Sequence, residues 1–227
     1  MDNTTFQSRI LIMILYWLRI LSKNYISRIF RIHYSQFGED VILREFIKKQ
    51  KIGFYGDVGC WHPKRFSNTY WLYKRGWRGI NIDMEHMKIA MFNLSRRQDI
   101  NVVAAISDKK QKLYIHRTYN FDLGSRLVSK SSESAKNAII TKTLDEVIGA
   151  TKYKDHKIDL LSIDAENHDY YVLNSLSWKK YDPKWVIVES WETDIHKILK
   201  SKINKFMEDK GYLIVSWTVK SLIYAKK

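Results

Sequence analysis

The stretch of residues 53–83 constrains the fold of this chain more than any other part of its sequence. Two short apolar runs, residues 53–58 and 80–82, lie near its two ends, and turn-forming residues follow both of them. Runs of this length and pattern are typical of buried strands. Each run also carries an acid at its C-terminal end, Asp57 in the first and Asp83 directly after the second.

The residues between the two runs predict a helix over residues 68–74. Ser67 can accept a hydrogen bond from the free N–H groups at the start of this helix, and Gly76 can end it. Two parallel strands joined by a crossover helix form a βαβ unit, and such sheets bind ligands at the carboxyl ends of their strands. We therefore expect Asp57 and Asp83 at one edge of the sheet.

The turn after the first strand favours a cofactor with a ribose and a cationic centre. Gly59 lets the backbone approach a ligand closely, and Asp83 is placed to accept hydrogen bonds from both ribose hydroxyls. Residues 60–63 are Cys, Trp, His and Pro, so the glycine pattern that binds a pyrophosphate is absent. This combination favours S-adenosylmethionine over NAD. The alternative is an α/β turn with surface carboxylates.

A second group of ionisable side chains follows the apolar run of residues 158–163, the predicted fourth strand. The group consists of Asp164, Glu166, His168 and Asp169. Methyl transfer to a hydroxyl needs the acceptor oxygen aligned with the methyl group and relieved of its proton. A histidine or carboxylate can take that proton, or carboxylates can hold a divalent cation that lowers the pKa of the hydroxyl. We expect Asp164, Glu166 and His168 to be catalytic.

Four segments of the sequence resemble one protein family. They are YSQFGED at residues 34–40, GFYGDVGCWHP at 53–63, SNTYWLYKRGWRGINID at 67–83 and LLSIDAENHD at 160–169. In this order they are similar to the FkbM family of S-adenosylmethionine-dependent methyltransferases, from about residue 34 to the C-terminus. The resemblance implies a class I methyltransferase fold and O-methylation, often of a sugar or polyketide hydroxyl.

Three residues depart from the pattern of that family. Asp83 stands where the family usually has Glu, and Asn167 and Asp169 stand where it commonly has Gly and Glu. We expect these differences to affect substrate contacts more than the cofactor site.

The resemblance also implies further contacts with the cofactor. Gln36 is expected nearby, and the polar residues after the third strand, predicted over residues 101–106, are expected at the adenine. Asp108 can accept a hydrogen bond from the adenine amino group, and its alternative role is to cap a turn. The full expected cofactor set is Gln36, Asp57, Gly59, Asp83, Ser107 and Asp108.

Some O-methyltransferases of this fold bind Mg²⁺ through acids after the fourth and fifth strands, and Asp164 and Glu189 resemble such a pair. Glu189 follows the predicted fifth strand, residues 185–188. Carboxylates suit Mg²⁺, and the seven histidines have no close paired spacing that would favour zinc. The alternative for Glu189 is a salt bridge or stabilisation of a helix N-terminus.

The whole pattern predicts an α/β fold, a three-layer Rossmann-like sandwich with a mostly parallel seven-stranded sheet. Two alternating runs, residues 212–217 and 221–225, predict an antiparallel C-terminal hairpin. The methyltransferase domain is expected over residues 34–227. Within it, residues 112–119 favour an additional strand, and the serine-rich residues 120–137 predict a substrate loop or lid.

Residues 1–33 predict a separate helical segment. Within residues 6–32, positions 10–18 are all apolar or aromatic, and arginines and lysines flank them. With one interruption the apolar run extends to Leu21, and twelve helical residues span roughly 18 Å of a hydrocarbon core that is roughly 30 Å thick. The composition favours a helix lying in a membrane surface. The alternative is a helix packed on the domain or on a second subunit.

Composition bears on the partner and the location of the protein. A formal net charge of +15 predicts attraction to nucleic acid, anionic lipid or acidic glycan, or only a basic solvated surface. The single cysteine, Cys60, forms no intrachain disulfide, which together with the expected cofactor favours the cytoplasm. Aromatic residues, 14% of the chain, offer flat faces for sugar rings. We expect a glycan or small-molecule hydroxyl as acceptor, with RNA methylation or a non-enzymatic binding module as alternatives.

Overall fold

The computed structural model describes residues 3–26, 33–116, 125–132 and 137–227. The chain divides into two units, residues 1–32 and 33–227, and this boundary lies one residue before the predicted one. The first unit contains helix α1 (Asn3–Ile26). Among the helices of the described residues, none is long and apolar enough to cross a membrane.

Strands and helices alternate over most of the second unit. Its strands are β1 (Phe54–Val58), β2 (Arg78–Asp83), β3 (Ile100–Val103), β4 (Lys112–His116), β5 (Arg126–Val128), β6 (Asn137–Ile140), β7 (Leu160–Ile163), β8 (Trp185–Glu189), β9 (Tyr212–Trp217) and β10 (Ser221–Lys226). Its helices are α2 (Glu39–Ile47), α3 (Tyr70–Lys74), α4 (His86–Ser95), α5 (Leu144–Gly149), α6 (Asp169–Asn174), α7 (Trp178–Tyr181), α8 (Ile195–Lys200) and α9 (Lys202–Asp209).

The main sheet has seven strands in the order β3-β2-β1-β7-β8-β10-β9. The pairs β2–β3, β1–β2, β1–β7 and β7–β8 are parallel, whereas β10 runs antiparallel to both of its neighbours. This arrangement confirms the predicted mostly parallel sheet with its antiparallel closing hairpin.

A second, three-stranded antiparallel sheet has the order β5-β4-β6. The predicted additional strand is β4. The segment of residues 120–137, predicted as a loop, contains β5 and the first residue of β6, so that prediction is wrong for those residues. Residues 117–124 and 133–136 lie outside the described part of the chain.

The core consists of two layers, one on each face of the main sheet. Strand β7 is buried on both faces, which explains its largely apolar sequence, in which Ser162 is the one polar residue. Alternate residues of a strand face opposite sides, so Leu161 packs with residues of α5 and α6 while Leu160 packs with residues of α2 and α3. The two layers with the sheet between them form the predicted three-layer α/β sandwich.

Two predicted elements begin or end at different residues. Helix α3 starts at Tyr70 rather than at residue 68, although the Ser67 Oγ accepts hydrogen bonds from the Thr69 and Tyr70 N–H groups at 3.3 and 3.1 Å. Strand β3 ends at Val103, three residues earlier than predicted. The chain then leaves β2, because Ala105 and Ser107 exchange backbone hydrogen bonds with Lys142 instead.

Candidate active site

A cavity lies at the carboxyl ends of β1, β2 and β7. It encloses about 600 Å³ of unfilled space, part of it open solvent. Three carboxylates, those of Asp83, Asp164 and Glu166, belong to residues of its wall. Ser125 and Leu127 also line it, so the smaller sheet contributes to the same cavity.

Asp83 is the last residue of β2 and is almost fully buried. Its Oδ1 accepts a hydrogen bond from the Glu85 N–H at 2.8 Å, and its Oδ2 accepts one from the Trp61 N–H at 3.2 Å. The Lys88 Nζ lies 3.6 Å from Oδ2. Burial raises the pKa of Asp83, whereas the Lys88 charge and the two N–H groups oppose this rise. A carboxylate offers about four lone-pair directions, so capacity remains for a ligand hydroxyl.

Gly59 ends β1 in a left-handed conformation, with a φ of 77°. A Cβ at this position would lie 1.7 Å from the Asp164 carbonyl oxygen. Gly59 also donates its N–H to the Ile82 carbonyl at 2.8 Å. The glycine therefore permits the ends of β1 and β7 to approach each other, in addition to lining the cavity.

Asp57 and Gln36, two members of the expected cofactor set, are not among the residues of the cavity wall. Because successive residues of a strand face opposite sides, Val58 lines the cavity and Asp57 points away from it. The Asp57 Oδ2 accepts a hydrogen bond from the Thr69 Oγ1 at 2.5 Å. Burial raises the pKa of Asp57, and nearby Arg96 opposes the rise. Gln36 is exposed in the segment before α2.

Arg96 follows α4 and is completely buried. Its Nε donates to the Pro63 carbonyl at 2.8 Å, and its two terminal nitrogens donate to the Ser67 and Thr69 hydroxyls, each at 2.7 Å. A longer bond of 3.3 Å reaches the Asn81 amide oxygen on β2. One guanidinium thus ties the loop after β1 to the start of the crossover helix and to the neighbouring strand.

Asp164 and Glu189 lie side by side because their strands are in register, with Ile163 paired to Val188. Their carboxyl groups are hydrogen-bonded to each other. Glu189 is 9% exposed, and its Oε2 has no hydrogen-bond partner among the described residues. Loss of surrounding water and the charge of Glu189 both raise the pKa of Asp164. Because Asp164 is exposed to the cavity, water there reduces the part of the pKa rise that comes from burial. The repulsion between the two carboxylates still raises the pKa of Asp164.

The turn after β7 explains one departure from the family pattern. Glu166 and Asn167 both have left-handed backbones, with φ values of 50° and 71°. Asparagine is among the residues that tolerate this conformation best after glycine, so Asn167 can replace the usual Gly. The turn is closed by Asp169, whose Oδ1 accepts a hydrogen bond from the Ala165 N–H at 2.9 Å.

Glu166 is held in the cavity wall by this strained turn. Burial and then the charges of Glu189 and Asp169 raise the pKa of Glu166 to about 7. A carboxylate with this pKa is well matched to accept a proton near neutral pH.

His168, the third predicted catalytic residue, is not among the residues of the cavity wall. Its Nε2 lies 3.0 Å from the Ser107 Oγ, and its ring stacks on Tyr171 at 4.6 Å between centroids. Burial lowers the pKa of His168, with Asp108 opposing. Ser107 and Asp108 are joined by a 3.2 Å hydrogen bond and likewise lie outside the cavity wall.

The residues present do not fit a metal ion. Over residues 3–26, 33–116, 125–132 and 137–227, no group of three or more His, Cys, Asp or Glu side chains is placed to hold one. Asp164 and Glu189 supply only two ligands and are hydrogen-bonded to each other. The predicted Mg²⁺ site therefore has no support in the structure.

Two cavity residues, Trp61 and Lys88, were not indicated by sequence patterns as site residues. Lys88 lies four residues before Phe92 and one before Ile89, on the stripe of α4 that faces the core. A lysine on a core-facing stripe could have identified Lys88 as a site residue, because lysine is rarely buried without a partner. Trp61 occupies a left-handed position, with a φ of 41°, that no sequence pattern marks.

Solved structures similar to this chain have low sequence identity to it. One is a TehB-like SAM-dependent methyltransferase from Corynebacterium glutamicum, at 11% identity and a TM-score of 0.44, over 93% of this chain and 96% of the other. Another is a SAM-dependent methyltransferase from Methanosarcina mazei, at 10% identity and a TM-score of 0.42, over 82% and 96%. A third is a precorrin-6y C5,15-methyltransferase from Geobacter metallireducens, at 9% identity and a TM-score of 0.43, over 83% and 87%. None of the curated proteins compared with the chain matches it.

A family model provides the assignment. The model described as the methyltransferase FkbM domain matches residues 51–214, which is most of the chain. The matched region contains β1 to β8, the cavity carboxylates and the turn with Asn167. The chain therefore belongs to the FkbM methyltransferase family and is an S-adenosylmethionine-dependent methyltransferase of the class I fold.

Proposed function

We propose that this methyltransferase transfers a methyl group from S-adenosylmethionine to a hydroxyl of a sugar or glycan. The observation that carries the proposal is that Asp83, suited to a ribose, and Asp164 and Glu166, suited to proton removal, share the wall of one cavity. Nitrogen acceptors with their own lone pair need no such base, whereas an alcohol must lose its proton as the methyl group arrives.

The cofactor fits the chemistry of the cavity wall. Asp83 would accept hydrogen bonds from the ribose hydroxyls, and the apolar residues Ile82, Ala104 and Ile106 would contact the adenine. The Lys88 charge opposes the rise in the pKa of the buried Asp83 and so favours its carboxylate form, which makes stronger hydrogen bonds to hydroxyl donors. The cofactor supplies the electrophilic methyl group, and the protein's task is to orient the acceptor and take its proton.

The carboxylates that follow β7 would remove the proton from the acceptor hydroxyl. Glu166 would accept the hydroxyl proton directly, because its pKa of about 7 leaves a substantial carboxylate population at neutral pH. Asp164 uses its one O–H toward Glu189, and its carboxyl oxygens can still accept a hydrogen bond from the acceptor hydroxyl. The bond from the acceptor oxygen to the methyl carbon forms as the carbon–sulfur bond breaks, and the proton ends on the carboxylate.

Asp83→Ala should weaken binding of S-adenosylhomocysteine by about 100-fold or more, because two ribose hydroxyls lose a charged acceptor worth about 1.5–3 kcal/mol per bond. Asp83→Glu, which restores the residue usual in the family, should bind within a few fold of wild type. Calorimetry measures both, with thermal melting of the free proteins as the check on folding. Unchanged affinity in Asp83→Ala would remove Asp83 from the cofactor site, and tight binding of NADH would contradict S-adenosylmethionine as the cofactor.

The acceptor class needs a separate experiment, since the net charge of +15 also suits RNA. The protein is incubated with methyl-labelled cofactor and separate pools of glycan, lipid-linked glycan and RNA. We expect label in a glycan pool. Label in RNA alone would favour RNA methylation, and cofactor binding without transfer to any pool would favour a non-enzymatic binding module.

We propose in addition that α1 contacts an anionic membrane surface on the cytoplasmic side. Nine of its large apolar residues are between 48% and 66% exposed, namely Leu11, Ile12, Met13, Ile14, Leu15, Tyr16, Trp17, Leu18 and Leu21, whereas Ile20 is partly buried. At about 100° per residue, the eight consecutive positions 11–18 point in every direction around the helix. A helix on the surface of a protein needs one apolar stripe, whereas a helix that is apolar on all sides is buried in a protein core or in lipid. Since these side chains are exposed, lipid is the environment that would cover them. The exposed Arg19 and the basic chain add attraction to anionic headgroups.

Vesicle sedimentation tests this contact. Phosphatidylcholine vesicles that contain phosphatidylglycerol should sediment the protein, and high salt or the double change Leu15→Glu and Leu18→Glu should release most of it. The matched control is Ile52→Glu, which alters an apolar residue 73% exposed in the second unit and should sediment like wild type. The proposal would be contradicted if the double variant sedimented with the vesicles as fully as the wild type. It would also be contradicted if light scattering showed that the wild type is a dimer and the double variant a monomer, because α1 would then pack on a second subunit.

A further inference from the structure

An exposed aromatic residue and a lysine contact each other next to the carboxylates of the site. Trp191 follows β8 by two residues and is 56% exposed. The Lys220 Nζ, from the turn between β9 and β10, lies 3.4 Å from the centroid of the Trp191 ring. The partly exposed ring of Phe37 is 5.9 Å from the same nitrogen. We call these three residues the aromatic–lysine patch.

Hydrogen bonds from neighbouring residues hold the patch in place. The buried carboxylate of Glu39 accepts from the Thr218 and Ser221 hydroxyls on either side of Lys220, at 2.9 and 3.1 Å. Its other oxygen accepts from the Phe37 N–H at 2.9 Å. The backbone after β8 is fixed to the same turn by a 2.8 Å bond to the Lys220 carbonyl. The three segments therefore present a preformed surface, which lowers the entropic cost of binding.

The patch adjoins the carboxylates of the cavity. Trp191 lies two residues after Glu189, and Ser221, which follows Lys220, pairs with Glu189 across β10 and β8. Glu189 in turn contacts Asp164 in the cavity wall. The Lys220 charge also acts on both Glu166 and Glu189, opposing the rise in pKa that burial causes in each. A molecule that reaches Glu166 from solvent can therefore contact Trp191 and Lys220 with another part of its structure.

The Lys220 ammonium is available to an anion. It makes no ion pair with a carboxylate in the described part of the chain, although acids lie near it. An ammonium next to an indole is partly desolvated and binds carboxylate or phosphate oxygens through charge-assisted hydrogen bonds. The exposed ring beside it offers a flat apolar surface for the C–H face of a sugar.

We propose that the aromatic–lysine patch selects an acidic sugar as the methyl acceptor, with the sugar ring on Trp191 and its carboxylate or phosphate on Lys220. This inference rests on the proposed function and specifies its substrate class. The acidic group neutralises Lys220 while the hydroxyl to be methylated lies toward Glu166. The high positive charge of the chain acts in the same direction by attracting acidic glycans.

Three matched probes test the selection: methyl glucoside, methyl glucuronide and methyl glucoside 6-phosphate, each with S-adenosylhomocysteine present. Binding is measured by ligand-observed NMR titration. We expect one acidic probe to bind at least about tenfold more tightly than the neutral glucoside, the difference that corresponds to about 1.4 kcal/mol. The two acidic probes show whether a carboxylate or a phosphate is preferred.

Two variants assign the effect to the patch. Lys220→Met should reduce the affinity for the preferred acidic probe to that of the neutral glucoside, and Trp191→Ala should weaken all three probes. The control is Lys180→Met, which removes a lysine 4.9 Å from the ring of Tyr181 on α7 and should behave like wild type. Equal affinity for acidic and neutral probes, or an acid preference that survives in Lys220→Met, would overturn the inference.

The labelled-cofactor experiment keeps the two claims separate. If label enters a neutral glycan and Lys220→Met does not reduce it, the acid selection fails while the proposed function holds. If label enters no glycan, the proposed function fails whatever the three probes do. Absence of binding by all three probes overturns the acid selection alone.

Discussion

Glu166→Gln should lower kcat by about 100-fold or more while the affinity for S-adenosylhomocysteine stays within about twofold. The amide keeps the shape of the side chain in the cavity wall but cannot take a proton from the acceptor hydroxyl. Initial rates with labelled cofactor and the glycan acceptor measure the loss. Calorimetry with S-adenosylhomocysteine measures whether the cofactor site is intact.

The pH profile separates loss of a base from loss of a contact. Glu166 must be a carboxylate to accept a proton, and its pKa is raised to about 7. The kcat of the wild type should therefore fall as the pH drops through about 7 and level off above it. In Glu166→Gln this inflection should disappear, and the small remaining rate should vary little over the same range.

His168→Ala is the matched control for that experiment. Its imidazole contacts Ser107 and is not in the cavity wall, so we expect a loss of less than about tenfold. A large loss in His168→Ala together with full activity in Glu166→Gln would transfer the role of base to His168. Activity that is lost in EDTA and restored by Mg²⁺ would instead support a metal at Asp164 and Glu189.

Much of the sheet could be predicted from the sequence because its central strands have a recognisable apolar pattern. A strand buried on both faces is largely apolar, and an ionisable residue marks its end. Asp83 and Asp164 are such residues, and both belong to the cavity wall. The prediction depends on register, however. Asp57 stands one residue before the end of β1, and that single step places its side chain on the opposite face of the sheet.

The smaller sheet and the buried network could not be predicted in the same way. Strands β5 and β6 are three and four residues long and largely exposed, so they lack the apolar pattern that a core imposes. In the sequence Arg96 resembles a surface arginine beside Arg97 and Gln98, since its hydrogen-bond partners lie 15 to 41 residues earlier in the chain. Only the folded arrangement brings those partners together.

Arg96→Met should be the most destabilising single change in the second unit. It removes three hydrogen bonds of 2.7 to 2.8 Å and leaves the Pro63 carbonyl and the buried Asp57 without the charge that compensates them. Breaking a buried charged network costs about 3–5 kcal/mol. For a chain of this size the melting temperature should fall by roughly 10 °C.

The same substitution should also weaken cofactor binding, because Arg96 positions a loop of the cofactor site. That loop has left-handed residues at Trp61 and Phe66, with φ values of 41° and 50°, and Trp61 donates its N–H to Asp83. Without the bond to the Pro63 carbonyl, the loop loses a contact that offsets the cost of those conformations, and the N–H moves away from the carboxylate. Arg96→Met should therefore lose affinity for S-adenosylhomocysteine even at temperatures where it is fully folded.

Two further variants distinguish this positioning role from a general loss of stability. Arg96→Lys keeps the charge but not the planar fork, so it should recover part of the melting temperature and little of the cofactor affinity. Arg97→Met alters the exposed neighbour and should leave both quantities nearly unchanged. Hydrogen exchange at residues 61–66 should accelerate in both Arg96 variants and not in Arg97→Met. If Arg96→Met melts lower but binds S-adenosylhomocysteine like wild type, the arginine stabilises the core without positioning the loop.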